Sequence, residues 1–148
     1  VRYVEVKFKK SWDVMHRGMT AVEDLAATLD GPFSELLKDL QSRGLLKRTL
    51  VVLATEFGRS PKINQSGGRD HHPKVFSCVF AGGGVKGGQA IGKTDPKGQG
   101  AIGETYQPKN LHATMAYALG LPLEERIHGS GGRPFFVGGQ SKPIPGLF

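Results

Sequence analysis

Cysteine is nearly absent from this chain: Cys78 is the only one in 148 residues, so no internal disulfide can form. Its place inside Val75-Phe76-Ser77-Cys78-Val79-Phe80 predicts a buried, inert thiol. Long hydrophobic runs are missing too. No stretch approaches the roughly 18 apolar residues of a membrane-spanning helix, and the mean hydropathy is −0.28. No leader with a basic head and an apolar middle lies within the chain. It begins with Val rather than Met and reads as a fragment or a processed product. Aromatic residues make up only 8%, with a single tryptophan, and none interleave with the basic residues as base-stacking side chains would. Internal repeats are absent.

What is present is a basic, glycine-rich chain with 38% apolar residues, enough for the core of one modest domain. The formal charge of +7 is scattered over Lys7, Lys9 and Lys10, then Lys47 and Arg48, then Lys86, Lys93 and Lys97. No helix face gathers it. Nucleic acid is therefore not the expected partner, and the charge reads as a solvated surface or as attraction for anionic substrates. Gly82-Gly83-Gly84-Val85-Lys86-Gly87 satisfies G-x-G-x-x-G after a strand. A dinucleotide site would open a helix there, whereas residues 89 to 103 are glycine-rich and aperiodic, so a tight multi-glycine turn is the expectation.

The pattern along the chain alternates strand and helix. Val4, Val6 and Phe8 against Tyr3, Glu5 and Lys7 predict a half-exposed strand over 2 to 8. A helix is expected from Thr20, as N-cap with Glu23 completing a capping box, through Val22, Leu25 and Leu29. Asp30-Gly31-Pro32 is expected to break or kink it. A second helix then buries Phe33, Leu36, Leu37 and Leu40 and ends at Gly44. The unalternating run 49 to 54 reads as a strand covered on both faces. Residues 57 to 73 show no helical period, so no crossover connects to the next strand, 75 to 80, which must run antiparallel to 49 to 54. A last helix from Asn110, its expected N-cap, to Gly120 and a short edge strand or hairpin around Phe135-Phe136-Val137 complete the chain.

Thr55-Glu56-Phe57-Gly58-Arg59-Ser60-Pro61, with Asp70-His71-His72-Pro73 eleven residues after Arg59, places two carboxylates, two imidazoles and two guanidiniums around one polar loop. The antiparallel return predicts that Asp70, His71 and His72 face Glu56 and Arg59 at one sheet edge. Asp13 and His16, in the loop after the first strand, converge on the same edge. Carboxylate oxygen and imidazole nitrogen suit zinc, manganese or iron, and the lack of usable cysteines excludes a structural thiolate site. Arg59 and Arg69 are available for the remaining oxygens of a phosphoryl or sulfuryl group. The plainer alternative has Glu56 paired with Arg59 or Arg69 to tie the loop down and both histidines on the surface.

Ser11-Trp12-Asp13, the segment DLQSRGLLKRTLVV, Glu56-Phe57-Gly58-Arg59, Gly68-Arg69-Asp70-His71 and the run from Ala81 to Gly88 together resemble the bacterial domain-of-unknown-function family 1501. That family is a sulfatase-like branch of the alkaline phosphatase superfamily. The resemblance implies a three-layer α/β/α fold with a mixed sheet and one antiparallel strand, of which residues 1 to 148 form the C-terminal part. It implies one metal held at positions matching Asp13, His16 and His71. The second metal's Asp-His pair matches Glu56-Phe57, where a carboxylate remains and a phenyl ring replaces the imidazole, with Asp70 or His72 as substitutes. The expected ion is divalent, zinc first, with manganese, calcium or iron compatible. The attacking Ser, Thr or formylglycine of the superfamily lies in an N-terminal region this chain does not contain, so the chain alone is expected to be inactive. The implied activity is hydrolysis of small-molecule or carbohydrate phosphate or sulfate esters by an exported protein. A non-catalytic anion- or carbohydrate-binding member of the same fold is the alternative.

Overall fold

The computed structural model describes residues 2 to 7 and 11 to 148. Over the described residues it is α/β, with two α-helices and four small antiparallel sheets: α1 (Thr20–Ser42), β1 (Leu50–Leu53), β2 (Gly58–Arg59), β3 (His71–His72), β4 (Val79–Gly82), β5 (Lys93–Thr94), β6 (Ala101–Ile102), α2 (Pro108–Ala118), β7 (Arg126–His128) and β8 (Pro134–Phe136). Each sheet has two strands, paired β1 with β4, β2 with β3, β5 with β6 and β7 with β8.

The expected strand over 2 to 8 does not form within residues 2 to 7; Phe8 lies outside the described residues. Tyr3 and Val4 are each 73% exposed and Val6 88%. Alternation alone cannot hold a strand whose backbone has no partner, and none pairs with it among the described residues.

Helix α1 corrects two further expectations. It runs unbroken through Asp30-Gly31-Pro32, and its N-cap is Met19, with Thr20 as the first helical residue and no side-chain cap. Proline removes one helical hydrogen bond, the one to Thr28 O, but Thr28 is exposed, so water can satisfy that carbonyl. Good helix formers on both sides carry the helix across. Its end is as expected. Gly44 takes φ +69°, Gly44 N–H donates to Gln41 O at 3.0 Å and Leu45 N–H to Leu40 O at 2.8 Å, a Schellman close. Leu25 is buried, whereas Leu36 is 45% exposed.

A 3-10 turn, Leu46–Arg48, leads into β1, which pairs antiparallel with β4 in the register Leu50 with Gly82 through Leu53 with Val79. The orientation is the one expected from the connection. All four β1 residues are half-buried. The turn after β4 is the multi-glycine turn the sequence predicts. Gly82 takes φ +68°, and a Cβ there would lie 2.4 Å from Thr49 O and 2.5 Å from Leu46 O, so no other residue fits.

Helix α2 begins at Pro108 with Gln107 as N-cap. Asn110 is therefore not the N-cap but its partner three residues on, accepting from Gln107 N–H at 2.8 Å. The helix closes like α1, with Gly120 at φ +70° and Leu121 N–H donating to Ala116 O at 3.0 Å. Two fully buried residues, Ala113 and Thr114, lie here, with Ala116 nearly as buried. Thr114 Oγ1 donates to Asn110 O at 2.6 Å and accepts from Ile144 N–H at 2.9 Å, tying the C-terminal segment to α2. Thr114→Val keeps the shape and strands the Ile144 amide. A loss of about 1 to 3 kcal/mol in chemical denaturation is expected, and a midpoint unchanged from wild type would contradict this role.

Candidate functional site

The segment between β2 and β3 is a compact loop closed by its turn residues. Asn64 N–H donates to Gly68 O at 2.8 Å, Gly67 N–H to Asn64 O at 3.1 Å, and Asn64 Oδ1 accepts from Ser66 N–H at 3.0 Å in an Asx turn. Gly67 supplies the positive φ that closes it. The register of β2 and β3 sets Arg59 opposite His71 and Gly58 opposite His72, and Ser60 N–H donating to Asp70 O at 2.8 Å extends the ladder.

Asp13 reaches this edge from the preceding loop. Its Oδ1 accepts from Arg59 Nη1 at 3.1 Å and lies 3.0 Å from His71 Nε2, across 58 positions of sequence. All three side chains are partly exposed: 49% for Asp13, 39% for His71 and 29% for Arg59. The His71 imidazole first, and the Arg59 guanidinium second, hold the Asp13 carboxyl below the usual carboxylate range. Arg59 also donates through Nη2 to Trp12 O at 3.1 Å and through Nη1 to Arg69 O at 3.3 Å, so one guanidinium spans both segments. Phe57 lies against His71 with ring centroids 4.1 Å apart, and Arg59 stands over the same phenyl ring at 5.6 Å.

Asp13, Glu56 and Arg59 line a cleft of about 790 Å³, walled on its apolar side by Trp12, Phe57 and Phe76, and His71 adjoins it through Asp13 and Phe57. The volume is in the range of small-molecule sites.

The remaining expected residues are placed as follows. Glu56 is exposed in the cleft lining and His16 is exposed on the loop after Asp13. Asp70 accepts from Asn64 Nδ2 at 2.8 Å. His72 Nε2 lies 3.1 Å from Gln99 O, on the β5–β6 hairpin. Arg69 Nη1 donates to Ser60 O at 2.8 Å and to Pro61 O, which ties its own loop. Among the described residues, no group of three or more His, Cys, Asp or Glu gathers closely enough to hold a metal ion. Cys78 is half-buried, and burial pushes its thiol up, against reactivity.

A family model described as "Protein of unknown function (DUF1501)" matches residues 1–148. The chain belongs to the DUF1501 family. No curated protein and no solved structure matches it. No helix among the described residues of this DUF1501 chain is long and apolar enough to cross a membrane.

Two features of the DUF1501 site were not singled out from sequence. Asn64 is one, although Asn-x-Ser-Gly-Gly carries an Asx-turn signal. The other is Asp95, in the hairpin that meets His72. Its Oδ1 accepts from Lys97 N–H at 2.7 Å and its Oδ2 from Gly100 N–H at 2.6 Å. Desolvation pushes this carboxyl up, but the backbone bonds together outweigh it and leave the group below its usual range. The hairpin's stabilisation by Asp95 is thus present above the ordinary Asp value near about 4 and is lost as pH falls through the depressed one. Protection of the Lys97 and Gly100 amides, their exchange measured against the intrinsic rate at each pH, should fall on acidification in wild type. Asp95→Asn should exchange faster at neutral pH and lose that dependence.

Proposed function

We propose that this chain carries part of the centre of a metal-dependent hydrolase of phosphate or sulfate esters, with Asp13 and His71 as two donors to one divalent ion. The observation that carries the reading is the meeting of Asp13, Arg59 and His71 beside the cleft. The donor pair fits the group. A carboxylate oxygen and an imidazole nitrogen 3.0 Å apart have about the separation of two ligands bound at roughly 2.0 to 2.1 Å to one small ion. Arg59 opposes a cation on Oδ1, so occupancy requires its guanidinium to shift toward the anionic substrate it is built to bind. Glu56 is a candidate for a further donor, because it lines the same cleft as Asp13.

A divalent ion, when bound, supplies positive charge that polarises the ester and lowers the pKa of a nucleophile. The chain's own residues orient and exclude. Arg59 and His71 fix the Asp13 carboxylate, Phe57 covers one face of His71, and Trp12 and Phe76 wall the apolar side of the cleft. In this reading β1 is an interior strand of a three-layer α/β/α sheet, which its apolar, half-buried run Leu50 to Leu53 supports.

Metal analysis of the protein as encoded in its natural gene, with assays on aryl phosphates and aryl sulfates, tests the reading. Bound zinc, manganese, calcium or iron with turnover of either ester class is expected. A protein that takes up no divalent ion and turns over neither class sinks it. Phe57, stacked on His71 where a second imidazole could have stood, favours a second reading, a non-catalytic binder of anionic ligands or carbohydrates. Saturable affinity without turnover would select it.

A further inference from the structure

The Asp13 to His71 contact joins an irregular loop to a two-residue strand, and both side chains are substantially open to water. A pair of that kind has little energy of its own to hold two segments together. The Arg59 guanidinium spans the two segments on one side, through Trp12 O, Asp13 and Arg69 O, and a second group ties them on the other. Asn64 is built for this, because its carboxamide uses all four of its hydrogen-bonding positions. Oδ1 accepts from Ser66 N–H and Gly68 N–H, each at 3.0 Å, while Nδ2 donates to Met15 O at 3.0 Å and to Asp70 Oδ1 at 2.8 Å. Met15 lies two residues beyond Asp13, and Asp70 directly precedes His71. Asn64 thus bridges the two segments beside both members of the pair. Gly68 reinforces the bridge: a Cβ there would lie 2.3 Å from Met15 O, so the two loops are in backbone contact.

We propose that Asn64 is a positioning residue that sets Asp13 against His71 by joining Met15 O to the Asp70 carboxylate. The metal part of this assignment rests on reading Asp13 and His71 as donors; the positioning itself rests on the four hydrogen bonds.

The test compares wild type with Asn64→Asp, which keeps the shape and both accepted bonds, loses both donated ones and sets a carboxylate against Asp70 and Met15 O. Zinc or manganese affinity, measured by calorimetry with the metal alone, should fall about 10-fold, the low end of the loss on removing a direct partner of a metal ligand, because Asn64 acts on the pair through Met15 and Asp70. A long-range ¹H–¹⁵N spectrum should show the His71 ring held with its proton on Nε2 in wild type and as a tautomer mixture in the variant. Asn64→Asp combined with Asp70→Asn reverses the polarity of one bond and should recover part of both signals. If Asn64→Asp does not fold, Asn64→Gln, with the same groups displaced by one methylene, should give a smaller loss of the same kind. A folded variant with wild-type metal affinity and an unchanged His71 spectrum overturns the assignment. If wild type itself binds no metal, the hydrolase reading fails, and the His71 spectrum still decides the role of Asn64.

Discussion

Asp13→Ala is expected to lower the chain's affinity for zinc or manganese by at least about 100-fold, beyond the effect of losing an outer partner, while leaving its folding stability close to that of wild type. The separation of the two effects follows from exposure. Asp13 is 49% exposed, so its ion pairs with Arg59 and His71 are screened and add little to the fold. As a metal donor the same carboxylate has no substitute at Oδ1. His71→Ala should match it in metal affinity. The pH dependence has a definite sign. The carboxyl is held below its usual range, so the tie from Asp13 to Arg59 and His71 is complete above the ordinary value near about 4 and is lost as pH falls through the depressed one. Calorimetric titration and thermal unfolding of both variants check these statements together. Equal metal affinity in wild type and Asp13→Ala would remove the basis of the hydrolase proposal.

Gly58→Ala should be the most damaging single change near the site, costing on the order of 3 kcal/mol by overpacking and lowering Tm by roughly 10 °C. Gly58 has no positive φ, and the reason is proximity. A Cβ there would lie 2.0 Å from Val75 O and 3.4 Å from His72 O, backbone atoms that cannot rotate away. Relief requires β2 to move off β3, which separates Arg59 from His71. Metal affinity should therefore fall together with stability. Gly87→Ala, at an exposed position without a positive φ and with no non-neighbouring atom within 4 Å of its Cβ position, is the control. Its effect should stay within about 0.5 kcal/mol. Equal and small effects at both glycines would show that the close approach at Gly58 carries no strain.

The parts of this fold that could be read from sequence are those fixed by local chemistry. The antiparallel run of β4 beside β1 followed from a connection with no helical period, and both helix ends followed from Gly44 and Gly120. What could not be read depended on solvent exposure or on partners remote in sequence. Pro32 looked like a break because its neighbours' exposure is invisible in the residue string. The stretch from Arg2 to Lys7 alternates like a strand, yet pairing is decided elsewhere in the chain. The hairpin of β5 and β6 was hidden in a glycine-rich region because its organiser is one carboxylate, Asp95, collecting backbone amides rather than a periodic pattern. At the site, residue types pointed to Asp13, Arg59 and His71. Their spacing could not reveal that Arg59 clamps Asp13 and Trp12, or that Arg69 bonds its own loop.

The single tryptophan of the chain stands in the wall of the cleft, next to Asp13. Its intrinsic fluorescence therefore reports on that one place with no background from other indoles. A quencher, a candidate ester or a paramagnetic ion entering the cleft can be followed by emission alone, without labelling the protein.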